Sequence, residues 1–445
     1  MKGLFFLIIT IMISMLTAGA CLGATHGKKV VCRVETEKSV LFAGPAQDVV
    51  IKVTLDAPPV PADIKRPRVN LSIVLDKSGS MGGEKIRYAK AAAIEALQRL
   101  SRDDIFSLVV YDAAVHTVVP AQRASNIDRI ISRIQGINAA GSTALFGGVS
   151  QGASEIRKHI GSDYVHRIIL LSDGRANVGP ESPAELGRLG AALIKENISV
   201  TTIGVGYDYN EDLMTRLSQK SDGNSYFVET GSDLPRIFAS ELGDVLNVVA
   251  KDVKLEISVP DGVKPLAVIG RDGRITGGKV ELSMNQLYGD QEKYALIKVR
   301  IPKSLAGTTM DIAKASVYYE NPFNRKREMA QGRSRARFSR DPKLVKGSTN
   351  VNVIREYHRN LNAMDQEKAI SLSDKGKNKE AVMTLKASAV RMKNIAREYN
   401  DTVLLKEAES MEKQAEVIER RGMDKKMRKV IRTRSYQMKN QQKAE

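Results

Sequence analysis

The chain has 445 residues, which is too long for one ordinary domain and predicts roughly two to four domains. A hydrophobic fraction of 42% and a mean hydropathy of -0.25 fit a globular protein with an ample core. The net charge of +18 indicates acidic partners such as nucleic acid, an anionic surface or acidic proteins, although a solvated basic surface explains the same charge. Two cysteines exclude a disulfide framework.

Residues 1–24 have the pattern of a secretory signal peptide. A short positive start, Met1-Lys2, precedes an apolar run over 4–16 and the small residues 18–20. That run is too short to span a bilayer comfortably, and no later stretch of the sequence approaches a membrane span. We therefore expect an exported protein, located in the periplasm, at the cell surface or outside the cell.

Cys21 leaves the mode of processing open. It follows the small residues 18–20, as in a bacterial lipoprotein processing box, although position 18 is alanine where a larger aliphatic residue is usual. Lipidation of Cys21 is therefore one alternative. Cleavage by the ordinary signal peptidase after Ala20 or Ala24 explains the same residues. A disulfide between Cys21 and Cys32 is the only one the sequence permits.

Residues 25–66 are expected to form an N-terminal β segment. Apolar side chains alternate with polar or small ones from Val49 to Leu55, which is the period of a half-buried strand. A proline-rich linker over 57–61 then interrupts regular structure. So few strands are not stable alone, and they need partners from elsewhere in the chain.

Strand and helix signals alternate over residues 67–249, which predicts an α/β fold with a doubly wound, mostly parallel sheet. Apolar runs without polar alternation indicate strands that are covered on both faces. These runs lie at 71–75, 105–111, 168–171 and 198–205. Amphipathic helices are expected over 84–100 and 143–160.

Residues 250–345 return to a β pattern. Apolar side chains alternate over 253–259 and 295–301, and glycine-containing turns separate the segments. We expect these strands to pair with the N-terminal β segment in a β-sandwich. The α/β domain would then be an insertion in that sandwich.

Residues 346–445 are expected to form a basic, helical C-terminal region. Amphipathic segments flank Gly376, as in a helical hairpin or a single degenerate repeat of the tetratricopeptide kind. The stretch 421–443 carries nine basic residues against Asp424 alone. Such a tail either binds an anionic envelope surface or is a frayed, solvated helix, and the second interpretation is favoured.

Side chains with hard oxygen donors follow two of the expected strands and open one helix. They are Asp76, Ser78 and Ser80 after the strand at 71–75, Thr143 at the start of a helix, and Asp173 after the strand at 168–171. Open α/β sheets bind ligands at the carboxyl ends of their strands, so these side chains are expected to meet. Two carboxylates and three hydroxyls suit Mg²⁺ or Mn²⁺ better than zinc. Taken singly, each residue also fits a helix cap or a turn.

The set resembles the metal-ion-dependent adhesion site of von Willebrand factor type A domains, which consists of Asp-x-Ser-x-Ser, a threonine and an aspartate. All five positions are intact, and Asn177, Gly179 and the stretch 202–213 add to the similarity. The resemblance covers about 68–249 and is to exported bacterial proteins of this type. It implies that the three hydroxyls bind the cation directly, that both aspartates act largely through water, and that a partner's carboxylate fills an open coordination position.

The expected function is therefore that of an adhesion or assembly module, not of an enzyme. It would capture an exposed Asp or Glu of a partner protein through Mg²⁺. One alternative is a non-adhesive scaffold or assembly factor of an envelope complex that acts through the C-terminal helices. Nucleic acid is disfavoured because the chain is expected to be exported and has no tryptophan and no aromatic–basic motif.

A metal-dependent hydrolase is the remote alternative. Phosphatases on similar sheets use an Asp-x-Asp motif, and Ser78 stands where the second carboxylate would be required. No glycine-rich phosphate loop is present. The five histidines are scattered, and His166, which precedes an expected strand, is predicted to lie at the surface. No catalytic residue is therefore predicted.

Overall fold

The computed structural model describes residues 29–61, 65–161 and 163–442. The predicted signal peptide and Cys21 lie outside these residues. None of the helices within them is both long and apolar enough to cross a membrane. Cys32 is buried and has no disulfide partner among the described residues.

The described residues form sixteen strands and eleven α-helices in three regions. The strands are β1 Val31–Thr36, β2 Val40–Phe42, β3 Gln47–Asp56, β4 Arg68–Asp76, β5 Ile105–Tyr111, β6 Val115–Arg123, β7 Tyr164–Ser172, β8 Ile198–Val205, β9 Ser225–Val228, β10 Val248–Ser258, β11 Lys264–Ile269, β12 Arg274–Thr276, β13 Lys279–Tyr288, β14 Glu292–Ile301, β15 Thr309–Asn321 and β16 Lys326–Ser339. The helices are α1 Glu84–Arg99, α2 Ile127–Gln135, α3 Leu145–Arg157, α4 Pro183–Leu193, α5 Glu211–Ser221, α6 Leu234–Leu246, α7 Pro342–Gly347, α8 Val351–Asp374, α9 Asn378–Tyr399, α10 Thr402–Arg421 and α11 Lys425–Asn440.

The central region is a doubly wound α/β domain, which confirms the predicted fold class. Its sheet has the order β6-β5-β4-β7-β8-β9, and every neighbouring pair is parallel except β5 with the edge strand β6. Helices cover both faces: Leu71 and Ile73 of β4 belong to the core under α1 and α6, whereas Val74 belongs to the core under α3. The strand β4 is buried on both faces because helices lie on each side of it, as its uninterrupted apolar run predicts.

Two flanking chain segments share the second region, which is a β-sandwich. Strand β3 pairs with β14 along its whole length, from Gln47 opposite Ile301 to Asp56 opposite Glu292. The two sheets have the orders β1-β3-β14-β11 and β12-β13-β10-β15-β16-β2. The α/β domain is therefore inserted between the third and tenth strands of the chain.

The interpretation of β3 as half-buried is wrong. Seven consecutive residues, Val49 to Leu55, are buried. One face packs in the sandwich core, and helix α8 covers the other, where Val50 packs in a cluster with Val353. Alternation in the sequence could not show this, because the covering helix lies about 300 residues away along the chain.

The basic tail is neither frayed nor solvated. It forms α11, which packs on α5 and β9 of the central domain and on α8. Arg428 forms ion pairs with Glu211, with Asp212 at 2.6 Å and with Asp374 at 2.8 Å. The ammonium group of Lys429 is buried 2.5 Å from Glu211. Much of the charge expected to face solvent or an anionic surface is thus paired within the chain.

His166 is also placed differently from the prediction. It lies within β7 and is buried, because β7 begins at Tyr164, four residues before the apolar run that marks the strand in the sequence. Its Nε2 lies 3.1 Å from the carbonyl oxygen of Gly161.

The burial of His166 predicts a stability that falls in mild acid. Burial lowers the pKa of His166 to about 4, whereas a histidine of an unfolded chain titrates near about 6.5. Between these values the unfolded chain binds a proton that the folded chain does not. The free energy of unfolding therefore decreases as the pH falls, by about 2 kcal/mol at about pH 5 from this residue. Urea unfolding at neutral and mildly acidic pH should show a smaller acid-induced loss for His166→Gln, and an equal loss would contradict the assignment.

Candidate metal site

The first part of the site is the loop that follows β4. Asp76 is the last residue of the strand, and its Oδ1 accepts a hydrogen bond of 2.8 Å from the backbone N–H of Ser78. This turn directs the chain back over the strand end, so that the Oγ atoms of Ser78 and Ser80 lie 3.1 Å apart. Asp76 and Ser78 are buried, and Ser80 is exposed.

Thr143 and Asp173 come from two other loops at the same sheet edge. Ser80 donates a hydrogen bond of 2.7 Å from its Oγ to Oδ1 of Asp173, which directly follows β7. The backbone N–H of Thr143 donates to the side-chain oxygen of Asn177 at 2.8 Å, and the N–H of Asn177 donates to the carbonyl of Thr143 at 3.1 Å. Asn177 therefore holds the loop before α3 against the loop after β7.

A single point shows how closely the side-chain oxygens converge. A methyl group added at Gly174 would lie 3.0 Å from Oγ1 of Thr143, 3.6 Å from Oγ of Ser80 and 3.7 Å from Oδ2 of Asp76. These three oxygens come from two loops, and Asp173, next to Gly174, is bonded to Ser80. The structure thus places oxygens of Thr143, Ser80 and Asp76 around one point, and Ser78 and Asp173 both contact the hydroxyl of Ser80.

The arrangement does not have the features of helix caps. The N-cap position of α3 is Ala144, and no side chain caps that helix. The short 3-10 turn Gly79–Met81 begins after Ser78, and the Ser78 hydroxyl makes no capping bond. The interpretation of Thr143 as a helix cap is therefore not supported by the geometry, whereas Ser78 does lie in a turn that Oδ1 of Asp76 closes.

The site carries buried negative charge. Burial raises the pKa of Asp76, and the nearby charge of Asp173 raises it further, although hydrogen bonds from Ser78 and Ser172 act in the opposite direction. The Oγ of Ser172 donates to Oδ2 of Asp76 at 2.7 Å. A buried carboxylate in such surroundings is stabilised by a nearby cation.

Lys85 supplies one positive charge to this site. Its Nζ lies 2.5 Å from Oδ2 of Asp173 and 3.3 Å from the carbonyl oxygen of Ser80. Lys85 is the second residue of α1, where the helix dipole disfavours a positive charge. A lysine at that position was a signal in the sequence that an acidic group lies nearby, and sequence reasoning missed it.

The donor set fits a hard divalent cation. Hydroxyl and carboxylate oxygens are the ligands that Mg²⁺ and Mn²⁺ prefer. Within the described residues, no group of three or more His, Cys, Asp or Glu side chains could hold a metal ion. A cation site in this part of the chain would therefore depend on the hydroxyls of Ser78, Ser80 and Thr143.

Comparisons with known proteins give a family for the central domain. Residues 70–240 match the family model of the von Willebrand factor type A domain. An uncharacterized protein of Synechocystis sp. is 27% identical over 268 residues, which cover 58% of this chain and 63% of that protein. Inter-alpha-trypsin inhibitor heavy chain H1 of Sus scrofa is 26% identical over 205 residues, which cover 44% of this chain and 23% of that protein.

A solved structure agrees on the fold. The von Willebrand factor type A protein from Catenulispora acidiphila has a TM-score of 0.69 and 18% identity, and the match covers 85% of this chain and 89% of that chain. At this identity the similarity shows the fold alone. The chain spans 63% and 23% of the lengths of the two curated relatives.

Proposed function

Since residues 70–240 match the von Willebrand factor type A domain, we propose that the protein is a cation-dependent protein-binding module. The observation that carries the proposal is that three loops bring the five predicted residues into one cluster: oxygens of Thr143, Ser80 and Asp76 lie near Gly174, and Ser78 and Asp173 contact the Ser80 hydroxyl. Mg²⁺ or Mn²⁺ held there would offer a coordination position to an exposed Asp or Glu of a partner protein.

Three features of the site would favour an acidic partner. Hydroxyl ligands carry no charge, so a bound cation would keep much of its attraction for an incoming carboxylate. The exposed Arg175 follows the Asp173-Gly174 turn directly. On the neighbouring loops, Asp208 and Glu229 are already paired with Lys425 at 2.8 Å and Lys426 at 2.5 Å. These two exposed carboxylates are thus paired with lysines of α11.

The roles of this chain's residues follow from their contacts. Thr143 would orient its hydroxyl towards the cation because Asn177 holds its loop. Asp76 would fix the Ser78 loop through the backbone N–H that it accepts. Asp173 would hold the Ser80 hydroxyl. Each aspartate would thereby position a hydroxyl.

The proposal is tested by capturing partners from a cell-envelope fraction with and without EDTA, with identification by mass spectrometry. Partners that bind in Mg²⁺, are released by EDTA and fail to bind Asp76→Ala would support it. Binding that persists unchanged in EDTA would contradict cation-dependent capture.

Lys85 provides a sharper prediction about the same site. Its ammonium group already neutralises Asp173, so a divalent cation must compete with it. We expect Lys85→Met to bind Mn²⁺ about tenfold more tightly, whereas Lys85→Arg keeps the competing charge. Mn²⁺ titration followed by electron paramagnetic resonance measures both affinities. Equal or weaker binding by Lys85→Met would show that the ammonium group does not compete.

A scaffold function through the C-terminal helices is the second candidate. Met383 and Val390 are 69% and 54% exposed, and they are seven residues apart on α9, so they lie on one helix face. Deleting 345–445 would not test this function, because α11 packs on the central domain. The double variant Met383→Glu, Val390→Glu preserves that packing. Loss of capture in this variant, with capture insensitive to EDTA, would favour the scaffold.

We also propose that the protein is exported, from the signal-peptide pattern of residues 1–24. Cell fractionation tests the location, and mass spectrometry of the mature N-terminus distinguishes a lipidated Cys21 from cleavage after Ala20 or Ala24.

A further inference from the structure

Three exposed apolar side chains lie near one another at one end of the β-sandwich. Phe42, Leu305 and Leu344 are 44%, 67% and 53% exposed. They come from β2, from the loop after β14 and from α7. We call this end of the sandwich, residues 40–44, 302–309 and 337–347, the distal tip.

Backbone contacts hold the segments of the distal tip together. Phe42 pairs with Ser339 at the end of β16, and Gly44 bridges to Ser304 beside Leu305. The N–H of Gly307 donates to the carbonyl of Phe338 at 2.8 Å. Helix α7, which carries Leu344, packs on β2. The three apolar side chains therefore lie on a surface whose segments are joined by backbone hydrogen bonds and packing.

Basic side chains surround these apolar ones. They are Lys303, Arg337, Arg340, Lys343 and Lys346, and all five are exposed. None of them forms an ion pair with any residue in 29–61, 65–161 or 163–442. The one acidic residue in the same segments is Asp341, whose carboxylate accepts the backbone N–H of Lys343 at 2.8 Å.

The neighbouring acids do not neutralise this charge. Asp48, at the start of β3, is paired with Lys298 at 2.9 Å and Arg300 at 2.6 Å. Asp311 is paired with Arg335 at 2.5 Å. The distal tip therefore keeps a net positive charge, in contrast to the basic helix α11, whose charges face acids of the same chain.

The distal tip lies at the end of the β-sandwich that faces away from the central domain. Strand β3 runs from Gln47, opposite Ile301 at the tip, to Asp56. Strand β4 then runs from Arg68 to Asp76 in the site. The amino ends of the central sheet face the sandwich, since Lys251 of β10 donates to the carbonyl of Tyr164, the first residue of β7.

We propose that the distal tip docks on the surface of an anionic lipid bilayer. Basic residues are attracted to anionic headgroups, and exposed apolar side chains between them gain free energy by entering the interface. A soluble polyanion would use the charges but offers no apolar phase for Phe42, Leu305 and Leu344. Docking in this way would present the candidate metal site away from the membrane.

The absence of tryptophan from the sequence allows a clean test. Leu305→Trp places a single fluorophore at the tip. With vesicles of phosphatidylglycerol and phosphatidylcholine, we expect its emission to shift to shorter wavelength and to be quenched by brominated lipid. Vesicles of phosphatidylcholine alone should cause neither change. Met383→Trp, at a side chain that is 69% exposed on α9, is the matched control and should stay unshifted.

A charge variant tests the second half of the proposal. Arg340→Gln, Lys343→Gln and Lys346→Gln together should weaken sedimentation with the anionic vesicles by at least about tenfold. Removing the same charge on exposed residues of the C-terminal region, with Lys375→Gln, Lys379→Gln and Lys413→Gln, should change binding much less. An unshifted Leu305→Trp, an equal shift in Met383→Trp, or binding to dextran sulfate with no response to vesicles would each overturn the proposal.

Discussion

We expect Thr143→Ala to lower the affinity for Mn²⁺ at least about 100-fold while the protein stays folded. Among the side-chain oxygens around a methyl group added at Gly174, Oγ1 of Thr143 is the nearest, at 3.0 Å. The loop itself is held by backbone bonds to Asn177, which the substitution leaves in place. Isothermal titration calorimetry measures the affinity, and circular dichroism verifies the fold.

Ser142→Ala is the matched control, because Ser142 is the exposed neighbour of Thr143 in the same loop. It should bind Mn²⁺ as the unchanged protein does. Gly174→Ala approaches the same space from the other side: its methyl group would occupy the point where the oxygens converge, and binding should again be lost. Unchanged Mn²⁺ affinity in Thr143→Ala would remove this hydroxyl from the site.

The largest stability effect is expected for Arg167→Ala, at about 3–5 kcal/mol of unfolding free energy. Arg167, in β7, is fully buried between the central domain and the β-sandwich. Its guanidinium donates to Gln286 and to the hydroxyl of Tyr288, both at 2.7 Å, and it forms an ion pair of 3.2 Å with Glu241. Truncation leaves the buried carboxylate of Glu241 without its cation.

Urea unfolding measures this loss, and two variants show its origin. The double variant Arg167→Met, Glu241→Gln removes both charges and should cost less than Arg167→Ala. Arg99→Ala breaks an exposed ion pair with Glu95 and should cost less than about 1 kcal/mol. A cost for Arg167→Ala as small as that for Arg99→Ala would mean that the buried network does not hold the two regions together.

Local patterns predicted the central domain well. The strands expected at 105–111 and 198–205 have those bounds in the structure, and the helix expected over 84–100 is α1, Glu84–Arg99. Neighbouring elements cover these strands and this helix on the faces that were expected, so the spacing of their apolar residues correctly indicates which faces are buried. The edge strands β6 and β9 were not predicted. Only Val119 is buried among the nine residues of β6, and β9 has just four residues, so neither gives a strong apolar signal.

The proximity of four candidate residues was predictable, because they follow the parallel strands β4 and β7, whose carboxyl ends lie at one sheet edge. Thr143 was predicted instead from its position at the start of a helix. The contacts that support the candidate site were harder to predict from the sequence. The ion pair between Lys85 and Asp173 joins residues 88 positions apart, and no period or motif relates them. Strand β3 was misjudged for a similar reason, because a helix distant in sequence covers one of its faces. His166 was misjudged because β7 begins before the apolar run that marks it in the sequence.

The sequence by itself determined the α/β fold of the central domain and the helical C-terminal region, because both rest on patterns within short stretches. It also predicted five site residues, which remain a prediction. Only the tertiary structure decided which of the described basic side chains pair with acidic ones and which do not. The basic stretch most visible in the sequence, Lys425 to Lys439, meets acids of the central domain and α8. The less conspicuous bases of the distal tip have no such partners in the described chain. Charge is neutralised by whichever groups folding brings within contact distance, and that distance is a property of the three-dimensional arrangement.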